Sequence, residues 1–89
     1  MESLTVRDRL LGLIKNILMQ NSISADVYPE SRLVDIGLNS MDMVKLMLDI
    51  EVEFDFMIPQ AEISPENFRS VKTLEQMIVD QLMILRTAS

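Results

Sequence analysis

The sequence predicts an all-α fold of four helices, three longer and one short, with a long loop between the first two. Three observations lead there. The chain has 89 residues, about 0.6 of the roughly 150 typical of one domain, so a single domain spanning residues 1–89 with one modest core is expected. Apolar residues make up 48%, too many for a disordered tail, yet only three Phe, one Tyr and two Gly are present, a poor composition for a sandwich or barrel. Finally, the apolar residues recur at helical rather than alternating spacing.

Thr5 with Asp8 three residues later fits a capping box, and Val6, Leu10, Leu13, Ile14, Ile17 and Leu18 follow on one helical face. A first helix from about Val6 to Met19 follows. The second runs from about Ser40 to Asp55, before the break announced by Ile58-Pro59. Ser64-Pro65 reads as an N-cap followed by proline at the first helical position, which predicts a short turn of helix through Phe68. Ser70 then caps a last helix with Val71, Leu74, Ile78, Leu82 and Leu85 on one face and Arg86 at its negative end.

The second helix carries the most information. At roughly 100° per residue, Met43, Leu46, Met47, Ile50 and Phe54 form a core stripe, and Asp42, Lys45, Asp49 and Glu53 a charged sector beside it. Met41, Val44, Leu48 and Val52 form a second apolar stripe, flanked by Glu51 and Asp55. Either this helix is wedged between neighbours and buries both stripes, or the second stripe is an exposed patch rimmed by carboxylates, suited to a partner protein. Charge location favours the patch. Asp42, Asp49, Glu51, Glu53 and Asp55 against Lys45 give this helix a net −4, whereas Arg7, Arg9 and Lys15 against Asp8 give the first helix +2.

The connection from Gln20 to Asn39 is far longer than usual between packed helices, so it is either functional or fastened to the core by its own side chains. Val27, Tyr28, Leu33, Ile36 and Leu38 are the candidate fasteners, with bends at Pro29 and Gly37. At its end Asn39 is placed to cap the second helix, with Asp42 returning a bond or complementing the dipole. Ser40 is then the first helical residue, its hydroxyl outward beside unpaired backbone N–H groups, a setting that suits an attached phosphate. The alternative is a capping or simply solvated serine.

Several function classes are excluded. With no Cys and no His, there is no thiol nucleophile, disulfide or zinc ribbon, and no imidazole to shuttle protons. Ser40 has neither an imidazole nor a lysine on its own face to activate it, so an enzyme is not expected. The carboxylates of Asp49, Glu51, Glu53 and Asp55 are dispersed around a helix and make no metal site. A net charge of −6 repels phosphate backbones and argues against nucleic acid. Met1-Glu2-Ser3 is no secretory leader, Glu2 excludes myristoylation, and no segment is apolar enough to span a bilayer, so a cytoplasmic location without membrane contact is expected.

The stretch Asp35-Ile36-Gly37-Leu38-Asn39-Ser40-Met41-Asp42-Met43-Val44 resembles the prosthetic-group motif of acyl carrier proteins. Glu53-Phe54-Asp55 followed by Ile58-Pro59 is similar to the end of that family's second helix, and Phe68-Arg69-Ser70-Val71 to the start of its last. The resemblance covers about Val6 to Leu85. It implies a small four-helix bundle with one short helix. It also implies a 4'-phosphopantetheine attached covalently to Ser40, delivered from coenzyme A by a phosphopantetheinyl transferase using Mg²⁺, whose thiol holds a cargo as a thioester. Asn39 and Asp42 would frame that attachment, and Met41, Val44, Leu48, Glu51, Val52 and Asp55 would meet partner enzymes. Such a carrier is expected to act as a monomer, served by an acyl- or amino-acid-activating ligase and downstream biosynthetic enzymes.

The sequence departs from the family pattern at three places. Asn39 stands where Asp is commonest, Lys45 takes a usually acidic position, and Val52 replaces another acid. These changes point away from general fatty-acid synthesis and toward a free-standing carrier of an aminoacyl or short acyl group. The alternatives are a fatty-acid-synthesis carrier or an acidic helical adaptor without prosthetic group.

Overall fold

A computed structural model describes residues 5–88, with side chains described through residue 85. Arg86 therefore has its side chain outside the described residues. The described chain is all-helical, with three α-helices, a single turn of 3-10 helix and no β-strand. The helices are α1 (Val6–Gln20), α2 (Ser40–Phe54) and α3 (Val71–Ala88), and the 3-10 turn is Gln60–Glu62.

Thr5 caps α1, its hydroxyl accepting from the Asp8 amide at 3.1 Å. Leu10, Ile14, Ile17 and Leu18 are buried on one face of this helix and join Leu46, Ile50 and Phe54 of α2 and Val71, Leu74, Met77 and Ile78 of α3 in one core cluster. Met43 and Met47, expected on the core stripe, are half-buried at its edge, and Leu85 is exposed. Leu85 instead lines an open apolar cavity of about 650 Å³ with Val6, Asp55, Leu82 and Met83, where the last turns of α3 lie beside the start of α1.

Helices α1 and α2 are antiparallel and joined at both ends. At one end Arg9 Nε donates to Glu53 Oε2 at 2.8 Å, its guanidinium also reaches the Glu53 carbonyl oxygen, and its Cζ lies 4.4 Å from the centre of the Phe54 ring. At the other, Asn21 Nδ2 donates to Asp42 Oδ2 at 3.0 Å. Arg7 Nε, 3.0 Å from Glu75 Oε1, ties α1 to α3.

Three chain reversals share one closure. After α1, Ser22 takes a left-handed φ of 59° and the Ile23 amide donates back to the Leu18 carbonyl at 2.8 Å. After the turn at Leu33–Gly37, Gly37 takes φ 113° and Leu38 donates to the Leu33 carbonyl at 3.1 Å. After α2, Asp55 takes φ 57° and Phe56 donates to the Glu51 carbonyl at 3.2 Å. In each, a left-handed residue lets a six-residue hydrogen bond satisfy a carbonyl that a helical end leaves unpaired.

The long loop is fastened as expected by Leu33 and Leu38, which are buried, and by Val27 and Ile36, which are half-buried. Tyr28 is not a fastener; it is 60% exposed, and only its backbone is engaged, in a turn with Ser31. Backbone bonds do the rest of the fastening. The Lys72 and Val71 amides at the start of α3 donate to the Pro29 and Ser31 carbonyls at 2.8 and 3.3 Å, and the Leu33 amide donates to the Arg69 carbonyl at 2.9 Å.

The short helix expected over Ser64–Phe68 is a turn only. Its cap is present, since the Asn67 amide donates to Ser64 Oγ at 3.2 Å and the Phe68 amide to the Ser64 carbonyl at 3.1 Å. The helix cannot propagate because the groups it needs are engaged elsewhere. The Asn67 carbonyl accepts from Thr73 Oγ1 at 2.9 Å, the Val71 amide has gone to Ser31, and Ser70 pairs with Arg32 in an isolated antiparallel bridge. Tertiary hydrogen bonding overrides a sound local signal.

Two stability predictions follow from this packing. A Cβ added at Gly37 would lie 2.9 Å from Ile23 Cδ1 on a backbone that L side chains rarely adopt, so Gly37→Ala is expected to lose about 2 kcal/mol in urea unfolding. Asp42→Ala strips the acceptor from both the Asn39 amide and Asn21, and is expected to cost about 2 kcal/mol, against about 1 for Asn39→Ala. In a double-mutant cycle, Asn21→Ala and Asp42→Ala should couple by more than about 0.5 kcal/mol.

Candidate functional site

Ser40 owes its position to a reciprocal cap. Asn39 is extended, with φ −99° and ψ −176°, and its Oδ1 accepts from the Asp42 amide at 2.9 Å. Asp42 Oδ2 accepts from the Asn39 amide at 3.1 Å, completing the capping box, and takes the Asn21 bond with the same oxygen. Asp42 is buried, and its Oδ2 carries both bonds. Its work is to hold the start of α2 against the end of α1, so that the next residue out, Ser40, is fixed without being bonded.

Ser40 is exposed, and neither its own amide nor that of Met41 has a hydrogen-bond partner among the described residues. The Ser40 hydroxyl has no hydrogen-bond partner there either. It lies in an open groove of about 520 Å³ walled by Arg32, Val34, Met43, Phe68 and Arg69. A second, almost wholly apolar groove of about 320 Å³ adjoins it, sharing Met43 and Phe68 and continuing past Val44 and Met47 to Ile63. An exposed hydroxyl at a helix start, with free amides behind it and an open groove before it, fits a bulky phosphodiester-linked group.

The two accounts of the second apolar stripe are now separable. Met41 is 78% exposed, Val44 51%, Leu48 52% and Val52 83%. All four face outward, in line with Ser40 along α2, and make a continuous apolar strip. Its charged rim differs from the one the sequence implies. Glu51 is half-buried and its Oε2 accepts from the Ile58 amide at 2.9 Å, so it secures the exit from α2. Asp49 sits 3.6 Å from Lys45 Nζ and Glu53 is taken by Arg9. Asp55 is exposed, but at the far end, beside Val6 and Leu82. Of the net −4 on this helix, which already counts Lys45, one charge is answered from outside by Arg9, while Asp42 and Glu51 are engaged by neutral donors.

Three contributors to the site were invisible in the sequence. Asn21 reaches Asp42 from the end of a different helix, and Arg32 and Arg69 enter the groove from segments with no periodicity. Only the pairing of the loop with the start of α3 brings those arginines together, and no local pattern encodes that pairing. Among the described residues no group of carboxylates could hold a metal ion, and no helix is long and apolar enough to cross a membrane.

Comparison with known proteins agrees with this geometry. The family described as phosphopantetheine attachment site matches residues 8–78, a span that contains Ser40. Aminoacyl carrier protein 2 of Bradyrhizobium diazoefficiens is 61% identical over 80 residues, covering 90% of each chain. Aminoacyl carrier protein 1 of the same organism is 62% identical over 77 residues, covering 86% of each. Among solved structures, a chain in the crystal structure of the Bradyrhizobium japonicum glycine:[carrier protein] ligase complexed with glycylated carrier protein superimposes with a TM-score of 0.72. It is 64% identical, with 81% of this chain and 97% of that one covered. A chain in the crystal structure of the same ligase with its cognate carrier protein and a glycyl adenylate analogue gives a TM-score of 0.74 at 61% identity, covering 84% of this chain and 97% of that one. This chain therefore belongs to the carrier proteins that bear a phosphopantetheine attachment site, and its relatives at this identity are aminoacyl carrier proteins.

Proposed function

We propose that Ser40 bears the 4'-phosphopantetheine arm and that this chain, acting as one free-standing carrier unit, holds a small aminoacyl group, glycyl being the first candidate. One observation carries the reading: the exposed hydroxyl of Ser40 stands at the mouth of an open groove, on a helix start rigidly capped by Asn39 and Asp42. When bound, the arm supplies a terminal thiol that holds the cargo as a thioester. Every other contribution comes from the chain's own residues. Asn39 and Asp42 fix the helix start, and the free amides of Ser40 and Met41 favour negative charge beside the hydroxyl.

The chain itself is not an enzyme in this reading. Proton removal from Ser40 during attachment falls to the phosphopantetheinyl transferase, since no base lies against the hydroxyl among the described residues. Activation of the cargo falls to an amino-acid-activating ligase, as the relatives solved with a glycine:[carrier protein] ligase suggest by their descriptions. Met41, Val44, Leu48 and Val52 offer such enzymes a rigid apolar strip beginning one residue from the attachment point. Glu51 contributes by holding the end of that strip rather than by charge, and Asp55 marks its far limit. Lys45, paired with Asp49 beside the strip, disfavours enzymes that recognise strongly acidic carriers. A monomeric carrier in the cytoplasm is the corresponding setting.

Incubation with coenzyme A and a broad-specificity transferase is expected to add one phosphopantetheine by intact mass. Ser40→Ala should add none while unfolding at nearly the same urea concentration. The loaded protein should accept glycine from ATP and a glycine:[carrier protein] ligase, and should be a poor acceptor for a fatty-acid malonyl transferase. Efficient malonyl loading without aminoacylation would return it to fatty-acid synthesis. For the strip, Val44→Asp and Leu48→Asp are each expected to raise the dissociation rate from the ligase by at least about tenfold, with little change in association rate, in surface-binding kinetics.

A further inference from the structure

We infer that Arg32 and Arg69 form a two-guanidinium cradle for the phosphodiester on Ser40, fixing the direction in which the arm leaves the protein. The inference rests on the attachment reading above and goes beyond it, because it assigns work to two residues outside the serine motif.

The backbone places the pair. Arg32 lies in the long loop and Arg69 just before α3, and they are brought together by the antiparallel bridge between Arg32 and Ser70 and by the bond from the Leu33 amide to the Arg69 carbonyl. Both side chains wall the same groove as Ser40. Their company elsewhere in the molecule is informative. Arg7 and Arg9 are each paired with a glutamate, whereas the guanidinium groups of Arg32 and Arg69 have no ion pair or hydrogen bond among the described residues. Among those residues Lys15 and Lys72 are exposed and without an ion pair as well, so the distinguishing feature of the two arginines is their place. The lining of the Ser40 groove holds both guanidinium-bearing residues and no carboxylate, and repulsion between them is not offset there.

An anion in the groove relieves it. A phosphodiester keeps one negative charge at all physiological pH values and presents two free oxygens, which planar guanidinium forks bind well and with defined direction. The free amides of Ser40 and Met41 face the same charge from the helix side. Held from both sides, the phosphodiester has fewer rotations about the serine linkage, and the arm leaves along the groove instead of sweeping freely.

The test begins with intact mass, to show that the protein has gained one phosphopantetheine, and then compares arginine Nε–Hε signals in NMR spectra of the unmodified and modified forms. The Arg32 and Arg69 signals are expected to move, and their exchange with water to slow by about tenfold, while those of Arg7 and Arg9 stay in place. The ³¹P line of modified R32Q/R69Q protein should narrow relative to wild type. Mass gain with movement at neither arginine, or at one alone, overturns the cradle and leaves the carrier reading intact. No mass gain overturns both. The same signal movement in Ser40→Ala protein titrated with coenzyme A would assign the pair to a free phosphate ligand and likewise overturn the cradle.

Discussion

The architecture turns on what becomes of the backbone groups at the start of α3. A helix leaves its first amides without intrahelical partners, and a long loop leaves its carbonyls in the same condition. Here each satisfies the other: Pro29 and Ser31 accept from Lys72 and Val71, and Arg69 accepts from Leu33. Without these bonds the loop would hang from Leu33 and Leu38 alone, and nothing would bring residues 32 and 69 to the same groove. The same pairing removes the amide that a helix over residues 64–68 would need to continue, so one constraint both ties the loop and erases the fourth helix.

Helix α2 separates structural charge from recognition surface. Its acids are spent on definite tasks: Asp42 caps the helix and holds α1, Glu51 secures the turn to Ile58, Glu53 anchors Arg9 over Phe54, and Asp49 answers Lys45. Meanwhile the apolar residues Met41, Val44, Leu48 and Val52 stay outside. Binding through a strip of this kind depends on close packing once contact is made.

Much of this was legible in the sequence, for reasons that can be stated residue by residue. Thr5, Asn39 and Asp42 announce helix starts through short-range hydrogen bonding, and the spacing of Leu10, Ile14 and Ile17, or of Leu46, Ile50 and Phe54, announces the buried faces. Ser40 was legible because a helix start and a family motif coincide there. What escaped was whatever depends on two distant segments meeting. Tyr28 is apolar enough for the core but is carried outward by its turn, and Leu85 lies on the right face yet in a part of α3 where it lines an open cavity. The partners of Glu51 and Glu53, the Ile58 amide and Arg9, were equally hidden because each lies outside the helix.

The groove at Ser40 also has parts of different origin. Its base, Ser40 with its cap, is fastened through Asp42 to the end of α1. Its walls, Arg32, Phe68 and Arg69, belong to the loop and to the segment that leads into α3. Base and walls are nevertheless coupled: the Leu38 amide, one residue before Asn39, donates to the carbonyl of Leu33, one residue after Arg32, at 3.1 Å, and both leucines are seated in the common core. Met43 of α2 and Phe68 pack against that same core and line the groove together. A protein pressing on the wall side therefore loads the buried leucines that also seat the serine, so the groove resists widening as a single frame.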